Sequence, residues 1–148
     1  MYFDTSALAK RYVTETGSRW VAELTVPASG HDVVISRITR VELISAVTRR
    51  ERGGSLSAAG ATTARAHLLS HCVNEYLVLR IQEGHFALAE KLAEKHALRA
   101  YDAMQLAVAV DLNAQFLPPD FVFVSADDEL NAAAAAEGLT FENPNHHP

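Results

Sequence analysis

MYFDTSALAK, residues 1–10, decides how the rest of the chain is read, because three residues suited to a strand run straight into a helix-forming segment with an aspartate at the junction. Residues 1–3 form the strand, and TSALAKRYV (5–13) is a helix that either Thr5 or Ser6 can cap. Asp4 occupies the turn between them. The same grammar repeats along the chain. GSRWVAELTV (17–26) is a second short helix, and the apolar run DVVIS (32–36) is a strand buried on both faces. RITRVELISAVTRRER (37–52) is a helix stopped by Gly53 and Gly54, and SLSAAGATTARAHLLSHCVNEY (55–76) is a further helix weakened by Gly60. LVLRI (77–81) is the third strand, followed by two helices, EGHFALAEKLAEKHAL (83–98) and YDAMQLAVAVDLNAQF (101–116). Pro118 and Pro119 break the chain before the fourth strand, FVFVS (121–125). DDELNAAAAAEG (127–138) is an alanine-rich helix closed by Gly138, LTFENP (139–144) a short fifth strand, and NPNHHP (143–148) a frayed tail.

Strands separated by helices, with no hairpin signal, predict an α/β chain: a three-layer α/β/α sandwich with a central parallel sheet of four to five strands. The sequence shows no linker or repeat, so residues 1–148 are expected to form one domain with a core of its own. Hydrophobic residues make up 49% and charged residues 21%, the balance of a folded soluble chain. No apolar run is long enough to span a bilayer, and the first residues carry neither a basic leader nor a long apolar segment, so a cytoplasmic protein is expected. Cys72 is the only cysteine, which excludes an internal disulfide and a thiolate metal cage.

Acidic side chains outnumber basic ones, 18 to 13, so the overall charge advertises no polyanionic partner. Arg37, Arg40, Arg49, Arg50 and Arg52 nevertheless cluster, either as a solvated helix face or as a contact for phosphates. His67 and His71 are four apart, but no glutamate follows His67 and no third ligand is evident, which weighs against a metal role.

In a parallel sheet, ligands bind beyond the carboxyl ends of the strands. Asp4 follows the first strand and Asp127 the fourth, so both belong at the same rim. Either alone reads as a helix cap, and Ser125 with Asp128 has the spacing of a capping box. Glu42 has Ile38, Thr39, Ser45 and Ala46 as helical neighbours and no basic partner along its helix. Asp102 opens an almost wholly apolar helix, where the helix dipole alone would favour it. Were Asp4, Glu42, Asp102 and Asp127 to converge, each close pair would repel by about 4 kcal/mol at ~4 Å and a dielectric of ~20. Such a cluster needs a cation, and an all-oxygen donor set favours Mg²⁺ or Mn²⁺ over Zn²⁺. The pattern points to metal-dependent phosphoryl transfer.

These four segments, in order, resemble the PIN-domain ribonucleases, and among them the VapC-type toxins of bacterial toxin-antitoxin pairs. MYFDTSALAKRYVTE (1–15) resembles the family's first motif, with Asp4 as its acid and Ser6 as the small hydroxyl beside the metal. SRITRVELISAVTRR (36–50) is similar to the second, with Glu42, and LRAYDAMQLAVA (98–109) to the third, with Asp102. FVFVSADDELNAAAAAEGLTFENP (121–144) is similar to the last, with Ser125 and Asp127 in a Thr/Ser-x-Asp pattern and Asp128 left to cap or face solvent.

The resemblance implies a PIN-like sandwich holding one or two Mg²⁺ or Mn²⁺ ions and hydrolysing single-stranded or looped RNA. Asp4 and Asp102 would be the firmest metal ligands. Asp127 would hold metal directly or through water, and Glu42 would orient water or complete a second site. Ser6 and Ser125 would position the ligands. Arg37 and Arg40 are the phosphate contacts expected near the site. The resemblance further implies a homodimer and a cognate antitoxin, which reaches DNA on the toxin's behalf, with RRERGGSLS (49–57) as the helical clip where these pack.

Other readings fit less well. A haloacid-dehalogenase-like phosphatase needs a second acid two positions after the first, where Ser6 stands. A receiver-type phosphoacceptor wants a late lysine, and none follows Lys95. A non-toxin PIN nuclease and a catalytically silent PIN-like binding module remain as alternatives.

Overall fold

The structure is a computed structural model that describes residues 1–116 and 121–147. Five strands form one parallel sheet: β1 (Tyr2–Phe3), β2 (Val33–Ser36), β3 (Tyr76–Leu79), β4 (Phe123–Val124) and β5 (Phe141–Glu142), in the spatial order β3-β2-β1-β4-β5. The helices are α1 (Thr5–Ala9), α2 (Ser18–Thr25), α3 (Arg37–Arg52), α4 (Ala58–Asn74), α5 (Glu83–His96), α6 (Ala100–Phe116) and α7 (Asp128–Ala136). The expected sandwich is therefore observed.

Period-two alternation explains the layers. Tyr2 and Phe3 are both fully buried but point to opposite faces. Tyr2 joins Phe123 and the apolar residues of α5, α6 and α7, among them Leu92, Leu106 and Leu130. Phe3 joins Val33, Ile35 and Val124 against Leu8, Val21, Leu43 and Leu68 of α1 to α4. A two-residue strand can sit at the centre of the sheet because it pairs on both edges, Tyr2 opposite Val34 on one side and Phe123 on the other.

The chain builds outward from β1 through β2 to β3, then returns to add β4 on β1's other edge. The order reverses between β1 and β4, and there the connections leave in opposite directions and open a crevice. Asp4 follows β1 and Ser125 to Asp127 follow β4 at that place.

Several local expectations are corrected. Asp4 itself caps α1, its Oδ1 accepting from Ala7 N at 2.9 Å, so neither Thr5 nor Ser6 does. The Ser125–Asp128 box is not made, since Asp127 caps α7 by accepting from Leu130 N. Gly60 lies in the first turn of α4, where its N–H donates to Ser57 Oγ, and the helix runs on to Asn74. The final segment is not frayed: Pro144–His146 form a 3-10 turn, Asn143 and Pro144 are buried, and His147 stacks on Trp20 with ring centroids 4.2 Å apart. Gly138 has a positive φ of 82° just past α7, as its stop role requires. Pro118 and Pro119 lie outside the described residues. No helix among the described residues is long and apolar enough to cross a membrane.

Candidate active site

The residues around Asp4 form a chain of hydrogen bonds that crosses the crevice. Asp4 is 3% exposed, and its Oδ1 accepts from Ala7 N and from Ser6 Oγ at 2.8 Å. Ser6 Oγ in turn accepts from Ala126 N at 2.8 Å and lies 3.3 Å from Ser125 Oγ. Ser125 is fully buried, and its Oγ accepts from Asp127 N at 3.1 Å. One serine from each strand end thus knits the first acidic turn to the last.

Glu42 approaches from the first turns of α3. Its Oε2 accepts from Thr5 Oγ1 at 2.5 Å and from Gln105 Nε2 at 2.7 Å. Gln105 is the residue that sequence reasoning missed. It is 1% exposed and lies three residues after Asp102 on α6, with its Nε2 also within reach of Thr5 Oγ1 and Thr39 Oγ1. Its Oε1 accepts from Tyr2 OH at 2.7 Å and from Ser36 Oγ at 3.1 Å. A signal was available: a glutamine inside the apolar run AMQLAVAV needs buried partners, and its i−3 neighbour is Asp102.

Asp102, half-buried at the start of α6, makes no hydrogen bond or ion pair among the described residues. Burial raises its proton affinity, and the charges of Asp127, Glu42 and Glu129 raise it further, against a smaller opposing pull from Arg99. Glu129 is a second contributor not singled out from the sequence. For Asp4, burial pushes the carboxyl up to about 7, its hydrogen bonds hold it down, and the charge of Glu42 adds to the rise. The charge of Glu42 thus reaches both Asp4 and Asp102, and that of Asp127 reaches Asp102.

Asp4 commits Oδ1, Glu42 Oε2 and Asp127 Oδ1 to bonds within the protein, and the other oxygen of each has no partner among the described residues. None of the four acids is in a salt bridge among the described residues. No three His, Cys, Asp or Glu side chains among the described residues close up enough to grip an ion unaided. Mg²⁺ commonly takes one or two carboxylates and keeps several waters, so an open, all-oxygen, uncompensated set suits it. The donor set fits the ion.

Comparison with known families agrees with this architecture. A family model described as PIN domain matches residues 1–136. This chain belongs to the PIN-domain family. PIN nucleases generally use divalent metal ions. No curated protein matches the chain in sequence. Among solved structures, FitAcB from Neisseria gonorrhoeae is similar with a TM-score of 0.68 at 17% identity, covering 98% of each chain. A toxin-antitoxin complex from Klebsiella pneumoniae has a TM-score of 0.63 at 16% identity over 97% of this chain and 96% of the other. VapC20 of Mycobacterium tuberculosis, a toxin that cleaves the sarcin-ricin loop, has a TM-score of 0.61 at 21% identity over 89% and 93%. At these identities the likeness is one of fold, and it is the PIN fold in each comparison.

The remaining residues singled out from the sequence take other places. Arg37 is exposed and lines a groove with Ile38, Val41, Arg80 and Ile81. Arg40 turns the other way, where its charge acts on the Cys72 thiol of α4. Asp128 accepts from Asn143 Nδ2 at 2.7 Å instead of joining the acids. His71 bonds Tyr12 OH through Nδ1 and stacks with His67, so the histidine pair serves packing on the opposite helical layer.

Proposed function

We propose that this PIN-domain protein is an Mg²⁺- or Mn²⁺-dependent endoribonuclease, and that it is the toxin of a VapBC-type pair working in the cytoplasm. One observation carries the nuclease reading: among the described residues, Asp4, Glu42 and Asp127 are each held by one oxygen with no partner for the other, Asp102 makes no hydrogen bond, and no counter-charge is bonded to any of the four. Fixed carboxylates facing one crevice without a cation are costly unless an ion is bound in use.

Asp4 and Asp102 are the proposed principal ligands, with Asp127 binding directly or through water. The ion, when bound, supplies Lewis-acid charge that makes water nucleophilic and steadies negative charge on the phosphate. The protein's own part is positioning. Gln105 and Thr5 aim the free oxygen of Glu42 as an acceptor for an attacking water, while Ser6 and Ser125 lock the β1 and β4 turns to each other. Arg37 is the better placed of the two arginines to meet an RNA phosphate, since it faces an open groove.

The toxin reading draws support from the toxin-antitoxin complex and the VapC20 toxin among the similar folds. A cognate antitoxin would provide the link to operator DNA, and a homodimer is the proposed assembly. The clip at residues 49–57 joins α3 to α4 over a small core of Val47, Ala61 and Ala64, a hairpin on which a partner helix can lie.

Purified protein incubated with tRNA and rRNA fragments should cleave them with Mg²⁺ or Mn²⁺ and not with EDTA. Asp4→Asn and Asp102→Asn should abolish cleavage while keeping the fold. Cutting without metal, or equal cutting by the variants, would refute the mechanism. A folded wild type that binds its partner but cuts no RNA under any metal would establish the silent binding module instead.

A further inference from the structure

The acids are brought together by elements far apart in sequence, and the segment that closes the arrangement lies beyond the 1–136 span matched to the family. Lys10, at the end of α1, is 4% exposed, and a buried ammonium is costly without several acceptors. Its Nζ donates to Asn145 Oδ1 at 2.8 Å and to Thr16 O at 2.9 Å, with Glu15 Oε2 at 3.4 Å. Asn145 Nδ2 then donates to Ala126 O at 3.1 Å. The Ala126 N–H is already held by Ser6 Oγ from α1. Ala126, the residue before Asp127, is therefore held at both its N–H and its C=O by groups that trace back to the helix capped by Asp4.

The rest of this segment fixes Asn145. Its N–H donates to Asn143 Oδ1, and Asn143, 2% exposed, reaches Asp128 Oδ1. Ser125 N donates to Glu142 O at 3.1 Å. Pro144 sits so close to Gly17 that a Cβ there would lie 2.1 Å from Pro144 O.

We propose that Lys10 and Asn145 are positioning residues: they form an internal strap that sets the distance between the Asp4 turn and the Asp127 turn and so tunes divalent-cation binding. The cation part of this inference rests on the reading of the acids as a metal site. A side chain that merely pinned the last turn would affect stability without affecting the acids.

The decisive comparison uses the full chain and four proteins: wild type, Asn145→Ala, Asn145→Asp and Val47→Ala. Asn145→Asp keeps an acceptor for Lys10 but loses the donor to Ala126 O. Val47→Ala loosens the separate α3/α4 core and serves as a control for stability. Mn²⁺ affinity is read by calorimetric titration, and exchange of the Asp127 amide proton is read by NMR on the metal-free proteins. Both Asn145 variants should bind Mn²⁺ about tenfold more weakly, regain cleavage at saturating Mn²⁺, and exchange the Asp127 amide faster. Val47→Ala should match wild type in both. Wild-type affinity and exchange in Asn145→Ala, or an equal loss in Val47→Ala, would overturn the strap. Should wild type bind no Mn²⁺, the metal reading fails by itself, and the exchange comparison still decides whether the strap holds the loop.

Discussion

Gln105 Nε2 lies 2.7 Å from Glu42 Oε2, so a neutral, buried amide on α6 holds the one acid that enters the crevice from α3. This contact joins two helices on opposite faces of the sheet, and Tyr2 and Ser36, from the strands between them, hold the amide's oxygen. Gln105→Leu should cost about 2–3 kcal/mol, because it strands a carboxylate and several hydroxyls in a buried place. It should also lower RNA cleavage at least about tenfold at fixed metal. Urea unfolding and cleavage rates check the two effects separately, and an unchanged rate in a folded variant would remove Gln105 from the site.

Metal-free stability should fall as pH rises from about 4 to about 7. Folded Asp4 keeps its proton up to about 7, whereas the unfolded group releases it near 3.8. The folded state therefore binds the extra proton in that window, and the contribution is full below the lower value and lost as pH passes the higher. Asp4→Asn should flatten this part of the profile, which chemical denaturation between pH 4 and 8 without metal would reveal. A wild-type profile that rises over the same range, with the variant parallel to it, would contradict the burial argument.

Asp127 caps α7 and faces the acids, and the two roles separate by substitution. Asn caps as well as Asp, so Asp127→Asn should keep the melting temperature while weakening cation binding. Asp127→Ala should lose both, with about 1 kcal/mol from the cap. Identical cation binding in Asp127→Asn and wild type would make Asp127 a cap only.

Mn²⁺ at a hundred times its Kd should stabilise the wild type by about 2.7 kcal/mol, or ~5–10 °C in Tm. Asp102→Asn should abolish that shift, and EDTA should reverse it in the wild type. Differential scanning fluorimetry is sufficient to see it, and a full shift in Asp102→Asn would exclude that residue as a ligand.

Gly17→Ala should destabilise by more than about 2 kcal/mol. Its φ of 81° disfavours any L side chain, and the added methyl meets the Pro144 backbone. Stability close to wild type in thermal unfolding would show that the closing turn packs more loosely than described.

The helix and strand sequence was legible because each element carries a clear period and stop, as DVVIS and the Gly53–Gly54 pair illustrate. The rim position of Asp4 and Asp127 followed from the parallel sheet alone. Gln105 was legible as a buried polar residue next to Asp102 but not as the partner of Glu42, and Lys10 was not legible as part of the crevice. Their partners lie on other elements, such as Glu42 63 positions from Gln105 and Asn145 135 positions from Lys10, and no local pattern encodes such pairings. Asp4, Thr5 and Ser6 all read as possible caps of α1, and the sequence could not choose among three adjacent capping residues because only the backbone geometry does.

The central place of β1 bears on synthesis. Residue 2 pairs with residue 123, and Ser6 must meet Ser125. A nascent chain therefore carries Asp4 and Glu42 for most of its synthesis without the strand that completes their surroundings. The acids can take up their mutual arrangement only after β4 has been made, so the crevice is a late product of synthesis and its parts wait on one another.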